Sequence, residues 1–186
     1  IDYLGICLDN KASWHPHLEK SKNTLVQRAG AITRLHNRSP IIPLSPVTDI
    51  YRAKAQSASL YGAEIWGYVN LSTVARKENQ FFRSICKLPN YCPLTPLFLD
   101  LACKKIDHLA NLIPLLYWVK LWITEELAPY RDALIDLLAY DQQARTPWLK
   151  HIRTWCNTLH LDDLWLNPRS MTTLTKRIVS TAYWVT

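Results

Sequence analysis

One stretch alternates with the two-residue period of a strand, and it comes first: Ile1-Asp-Tyr-Leu-Gly-Ile-Cys-Leu-Asp9. Leu4, Ile6 and Leu8 fall on one wholly apolar side, so the strand expects a partner surface. No second convincing strand follows. An isolated strand leaves its backbone donors and acceptors unpaired, so the pattern predicts that its sheet lies upstream and that this sequence is a piece of a larger protein. With only 4 Gly against 11 Pro, the rest suits helices separated by stiff corners rather than a hairpin-rich β fold. The expected fold is mainly α, a multi-helix bundle with one short N-terminal β-strand left from an upstream sheet.

The first helix should open near Pro16 and run to about Arg38, proline being comfortable in a first turn. Leu18, Leu25, Ala29, Ile32 and His36 form its apolar stripe, and Lys20, Asn23, Gln27, Arg34 and Arg38 fall on the opposite side. One face therefore packs while the other offers cations and amides over roughly 30 Å. Ser39–Pro46 reads as a rigid corner. Ser45 is expected to cap a second helix opened by Pro46 and running through Tyr51, Ala58, Tyr61 and Ile65 towards Gly67. The small residues Ala53, Ala55, Ser57, Ala58 and Ser59 predict close helix–helix approach. Ser72 should cap a third helix ended by Pro89. After Tyr91–Pro96 the helical spacing resumes through Ile113, then over Pro129–Ala144, over Pro147–Leu159 capped by Thr146, and over Ser170–Trp184. The organisation expected is a strand over residues 1–13, a helical domain over 14–90 and a second helical bundle over 91–186.

Charge is uneven along the chain. Of the formal +7, residues 1–90 hold twelve Lys/Arg against six Asp/Glu, and residues 91–186 hold ten against nine. Within 11–38 stand Lys11, Lys20, Lys22, Arg28, Arg34 and Arg38 against Glu19 alone. Such concentration is the footprint of a phosphate-backbone partner. Lys11, Lys20, Asn23, Gln27, Arg34 and Arg38 are accordingly the candidate nucleic-acid-binding residues. They would read backbone and shape rather than sequence. The alternative is a helical protein-interaction or structural module whose basic helix is merely solvated.

Other chemistries find little support. The five cysteines are odd in number and scattered, which predicts reduced thiols and an intracellular setting. Leu112–Ile123 holds Pro114 and Lys120 and is too short to span a bilayer, so no membrane partner is expected. Cys156 and His160 stand four apart, a zinc-ligand spacing, but no second paired half accompanies them. His15 and His17 are expected at the surface or facing phosphate. Glu64 beside Trp66 reads as a structural carboxylate, and there is no Gly-rich phosphate loop. No catalytic residue, metal ligand or cofactor is assigned.

The order of short motifs is more specific than any one of them. Tyr3-Leu4-Gly5 is followed by Leu8-Asp9, Ser13-Trp14, His17-Leu18, a basic helix, Leu60-Tyr61-Gly62-Ala63-Glu64-Ile65-Trp66 and Phe82-Arg83-Ser84-Ile85-Cys86-Lys87-Leu88-Pro89. That succession, over about residues 1 to 120, resembles the region after the catalytic palm in the reverse transcriptases of non-LTR (LINE-type) retrotransposons. The resemblance implies that Tyr3, Leu4 and Gly5 form a strand beside the primer terminus and that residues 14–90 form a thumb. The implied partners are an RNA template, a DNA primer and an upstream palm. The family's aromatic-Ala-Asp-Asp loop is absent, and Asp162-Asp163 near the far end does not replace it. Magnesium is therefore expected only in the missing palm, and this chain alone is expected to polymerise nothing.

Overall fold

A computed structural model describes residues 2–11, 13–39, 41–162 and 165. The described chain is mainly α. It divides into two compact units: Ile1–Gly62 with Val69–Ala110, and Ala63–Tyr68 with the described residues from Asn111 on.

The opening run is a hairpin rather than a single strand. β1 (Asp2–Tyr3) pairs antiparallel with β2 (Ile6–Cys7), with Asp2 opposite Cys7 and Tyr3 opposite Ile6. The alternation was a sound sign of β structure, but Leu4 and Gly5 turn the chain between the strands. Both have positive φ, 47° and 84°, as a tight two-residue hairpin turn requires. Leu4, Ile6 and Leu8 consequently do not share a buried face, and Leu4 is 73% exposed.

α1 (His15–Arg38) carries Pro16 in its first turn and buries His17, Ser21, Leu25, Ala29 and Ile32. It packs against α5 (Ser72–Cys86), a π-helix (Tyr51–Gln56) and α3 (Ser57–Ser59). The Ser21 hydroxyl donates to the Ser59 carbonyl at 2.6 Å, so the small-residue run does sit against a neighbouring helix. α2 (Leu44–Ile50) starts two residues earlier than its expected opening at Pro46, with Pro43 rather than Ser45 at the N-cap. Pro46 is tolerated because the N–H groups of a first turn have no intrahelical partner. The helix does not reach Ile65 unbroken. It widens into the π-helix and stops at Leu60, and Gly62 at φ 72° redirects the chain into α4 (Ala63–Trp66). α5 begins at Ser72 but is capped by its neighbour: Asn70 Oδ1 accepts the Ser72 N–H at 2.8 Å.

The π-helix answers a group on another helix. In an α-helix residues five apart point roughly 140° away from each other, whereas the wider turn of i→i+5 bonding brings them onto the same side. Tyr51 and Gln56 thereby converge on one buried carboxylate, Glu78 of α5, with Tyr51 Oη donating at 2.7 Å and Gln56 Nε2 at 3.2 Å. Glu78 also accepts the Ile106 N–H at 2.9 Å. Around this group Tyr51, Phe81, Phe82 and Phe98 stack or meet edge to face at centroid separations of 4.7 to 5.1 Å.

α6 (Thr95–Asp100) and the first turn of α7 (Ile106–Ile123) complete the first unit. In the second, α7 continues with Leu115, Trp118 and Val119 wholly buried. Trp118 stacks on Trp165 at 5.5 Å and meets Trp122 and Trp148. α8 (Ala128–Tyr140) ends earlier than its apolar spacing predicts, because the chain turns at Asp141 and Ala144 takes φ 51°. α9 (Pro147–Thr158) lays Leu149, Ile152 and Cys156 onto the core. Thr146 occupies its N-cap but makes no side-chain cap bond. The Asp141 carboxylate instead accepts the Arg145 and Thr146 N–H groups at 2.8 and 2.7 Å. The helix expected over Ser170–Trp184 lies outside the described residues. No described helix is long and apolar enough to cross a membrane.

Candidate nucleic-acid interface

The face of α1 opposite its buried stripe carries Lys20, Asn23, Gln27, Arg34 and Arg38, all exposed. From Lys20 to Arg38 the face extends roughly 27 Å along the axis. Arg34 and Arg38 have no ion pair among the described residues. The Arg34 guanidinium lies over Gly30, 3.7 Å from where a β-carbon would stand there, so the glycine leaves room for that side chain along the helix. Lys11 is exposed in the loop before α1, where Asp9 Oδ1 accepts its N–H at 3.1 Å. Asp9 also accepts the Ser13 hydroxyl and, at 2.6 Å, the Ser13 N–H, and these bonds, the hydroxyl's first, hold its carboxyl below the usual range.

Lys20 differs from the other members of the set. Its ammonium donates to Asp2 Oδ2 at 2.7 Å and to the Gly5 carbonyl at 3.0 Å, tying the hairpin to α1. Lys22 is paired with Glu19, and Arg28 donates to the Lys54 carbonyl at 2.8 Å. Among the described residues the cations of α1 without a carboxylate partner are Arg28, held at the Lys54 carbonyl, and Arg34 and Arg38 on the exposed face.

His17 departs from the expected surface position. It is 4% exposed, and its Nδ1 accepts the Cys7 N–H at 3.3 Å. Burial pushes its pKa below the ordinary histidine value. The signal was in the sequence, since His17 shares the stripe of Ser21 and Leu25 at helical spacing, but two polar residues in succession, His17 and Ser21, masked an inward face. Together Leu4, Gly5, Lys20, Arg28 and Tyr61 border a cleft of about 380 Å³ beside α1. A β-carbon at Gly5 would stand 3.2 Å from the Tyr61 ring, so the turn lies flat against that ring. Tyr3 and Leu4 remain largely exposed beside it.

Among the described residues no three His, Cys, Asp or Glu side chains gather in a way that could hold a metal ion. Cys156 is buried, whereas His160 lies beyond the end of α9 at φ 54°, so the pair does not share a helix face. Glu64 is half-buried, and its carbonyl accepts the Trp148 indole N–H at 2.8 Å. Among the described residues the strongly perturbed carboxyl is Glu78, pushed up to about 7 chiefly by burial and opposed by its hydrogen bonds. It is enclosed in the core, so its role is structural.

The fold so described is that of a mainly α chain with a small N-terminal hairpin and a basic helix exposing one polar face. Over 109 residues it is 31% identical to a Drosophila melanogaster protein named "Probable RNA-directed DNA polymerase from transposon BS". The match covers 57% of this chain and 12% of that protein, so the chain spans a small part of its relative. No family model and no solved structure matches it. The similarity supports the relation to non-LTR retrotransposon reverse transcriptases implied by the motif order from Tyr3-Leu4-Gly5 to Pro89.

Proposed function

We propose that this chain is the part of a LINE-type RNA-directed DNA polymerase that holds the template–primer duplex after the palm. The exposed face of α1, with Arg34 and Arg38 as its uncompensated cations and Asn23 and Gln27 as neutral donors, lies along the phosphates of one strand. The hairpin turn of Tyr3, Leu4 and Gly5 stands on the primer side. Contacts of this kind ignore sequence, which a translocating polymerase requires. In this reading the catalytic carboxylates and their magnesium belong to the palm, and no catalytic step is assigned to the residues described. The observation carrying the proposal is that α1 buries His17, Ser21, Leu25, Ala29 and Ile32 on one side and keeps Arg34 and Arg38 exposed on the other, with no carboxylate partner among the described residues.

One observation favours the rival reading of a structural module: Lys20 is occupied by Asp2 and Gly5. Binding of the chain to a labelled RNA/DNA hybrid across a salt series separates the two. Arg34→Ala with Arg38→Ala is expected to weaken binding to all sequences alike and to lower the slope of log affinity against log salt by about 2. An affinity indifferent to salt and to both substitutions favours the structural module.

A further inference from the structure

The second unit has a cationic cleft of its own, although its overall charge is nearly balanced. Where α8 turns into α9, Arg145, Lys150 and Arg153 line a groove of about 420 Å³ together with Gln143, Thr154 and Asn157. Lys150, Arg153, Thr154 and Asn157 recur at three- and four-residue intervals, on the side of α9 opposite buried Leu149, Ile152 and Cys156.

Neutral groups hold the two arginines. Arg145 Nε donates to Gln143 Oε1 at 2.9 Å, and its Nη2 donates to the same oxygen. The Arg153 guanidinium lies over the Trp165 ring at 5.8 Å. The Asp141 carboxylate accepts the backbone N–H groups of Arg145 and Thr146 and makes no ion pair with either arginine's guanidinium among the described residues. The guanidiniums are thus partly ordered while keeping donors available, which lowers the entropy lost on meeting a planar pair of oxygens. Lys150 has no ion pair among the described residues.

We infer that this α8–α9 groove is a second phosphate-backbone contact, with Arg145, Lys150 and Arg153 as cations and Thr154 as a neutral donor. The choice of nucleic acid as the polyanion rests on the proposed function above. The lining favours it as well, because Ala144 is the one apolar side chain there. An acidic peptide would bring the same charge but would find little to anchor an apolar side chain.

The test uses the full chain with a fluorescently labelled RNA/DNA hybrid and, separately, single-stranded RNA of equal length. Arg145→Gln, Lys150→Gln and Arg153→Gln combined are expected to lower the salt slope by about 2 to 3 and to weaken binding to at least one of the two probes. A photo-crosslinking residue placed at Thr154 should capture the labelled strand. Unchanged affinity with both probes, or no crosslink, overturns the second contact. If Arg34→Ala with Arg38→Ala still weakens binding, the proposed function survives that failure; if neither set of substitutions matters, both readings fall. Tighter binding of a polyglutamate peptide than of either nucleic acid would also overturn it.

Discussion

The two units fill their interiors in different ways. The first buries His17, Ser21, Thr48, Gln56, Ser59 and Glu78, and most of these bond to backbone or to one another. The second buries Asp141 as its polar group among the described residues and otherwise relies on rings and aliphatic chains. Buried polar groups must find particular partners at particular distances, so they fix how helices register against one another. Indole rings fix a core by shape and volume. The first unit should therefore depend more on particular polar contacts, those of Glu78 above all, and the second should be the more sensitive to lost volume.

The largest effect is expected in the second unit. Trp118 is fully buried between Trp122, Trp148 and Trp165. Trp118→Ala should cost about 3 to 5 kcal/mol by urea denaturation, from lost transfer energy plus the cavity left behind. Trp118→Phe should recover much of the loss. Its indole N–H has no hydrogen-bond partner among the described residues, so phenylalanine forfeits ring area and no bond. Equal losses for the two variants would mean that the core is not organised by volume.

Glu78 should produce the pH response of the first unit. Its carboxyl titrates near 7 in the folded chain and near 4.5 unfolded. A raised folded pKa means that the native state binds the proton more tightly, so the stabilisation is complete below about pH 4.5 and is lost as pH rises through 7. The shift corresponds to roughly 3 kcal/mol over that window. Glu78→Gln keeps the shape and removes the titration, so its unfolding free energy should lack this slope. Exchange of the Ile106 amide, which donates to Glu78, reports the effect locally. A wild-type slope retained in Glu78→Gln would assign the response to another group.

His17 gives a smaller effect of opposite sign. Burial lowers its pKa from the ordinary 6.5, so the unfolded chain takes up the proton first. Its contribution is complete above about pH 6.5 and is lost as pH falls towards the depressed folded value. Protection of the Cys7 amide, which donates to His17, should fall on acidification from pH 7.5 to 5, and His17→Gln should remove that dependence. Protection unchanged across this range would remove His17 as the latch of the hairpin.

How far the sequence could be read depends on how local each cause is. α1 was legible almost to the residue because Pro16 and an apolar stripe at helical spacing along a 24-residue helix are local signals. The hairpin was not, since a two-residue turn needs positive φ at Leu4, which leucine does not advertise. The π-helix was hidden as well, because its cause is Glu78, 22 residues beyond Gln56. The basic face followed from helical spacing, yet the loss of Lys20 to Asp2, 18 residues away, could not. The groove by α9 escaped a charge count because acids elsewhere in the second half balance its cations.

The least costly substitution bears on the boundary between structure and binding. Asp2 and Lys20 are both substantially exposed, at 55% and 42% of their side chains, and an ion pair so hydrated contributes little to folding. Lys20→Ala should therefore leave the urea midpoint nearly unchanged. It should still free the turn, because the same ammonium also holds the Gly5 carbonyl. Faster amide exchange at Ile6 and Cys7 with an unaltered midpoint is the expected result. Binding to the hybrid then divides the roles of this lysine. If Asp2→Asn, which frees the ammonium, strengthens binding while Lys20→Ala weakens it, Lys20 belongs to the phosphate face. If both variants loosen the hairpin and leave affinity alone, Lys20 is a structural cation and the duplex contact rests on Arg34 and Arg38.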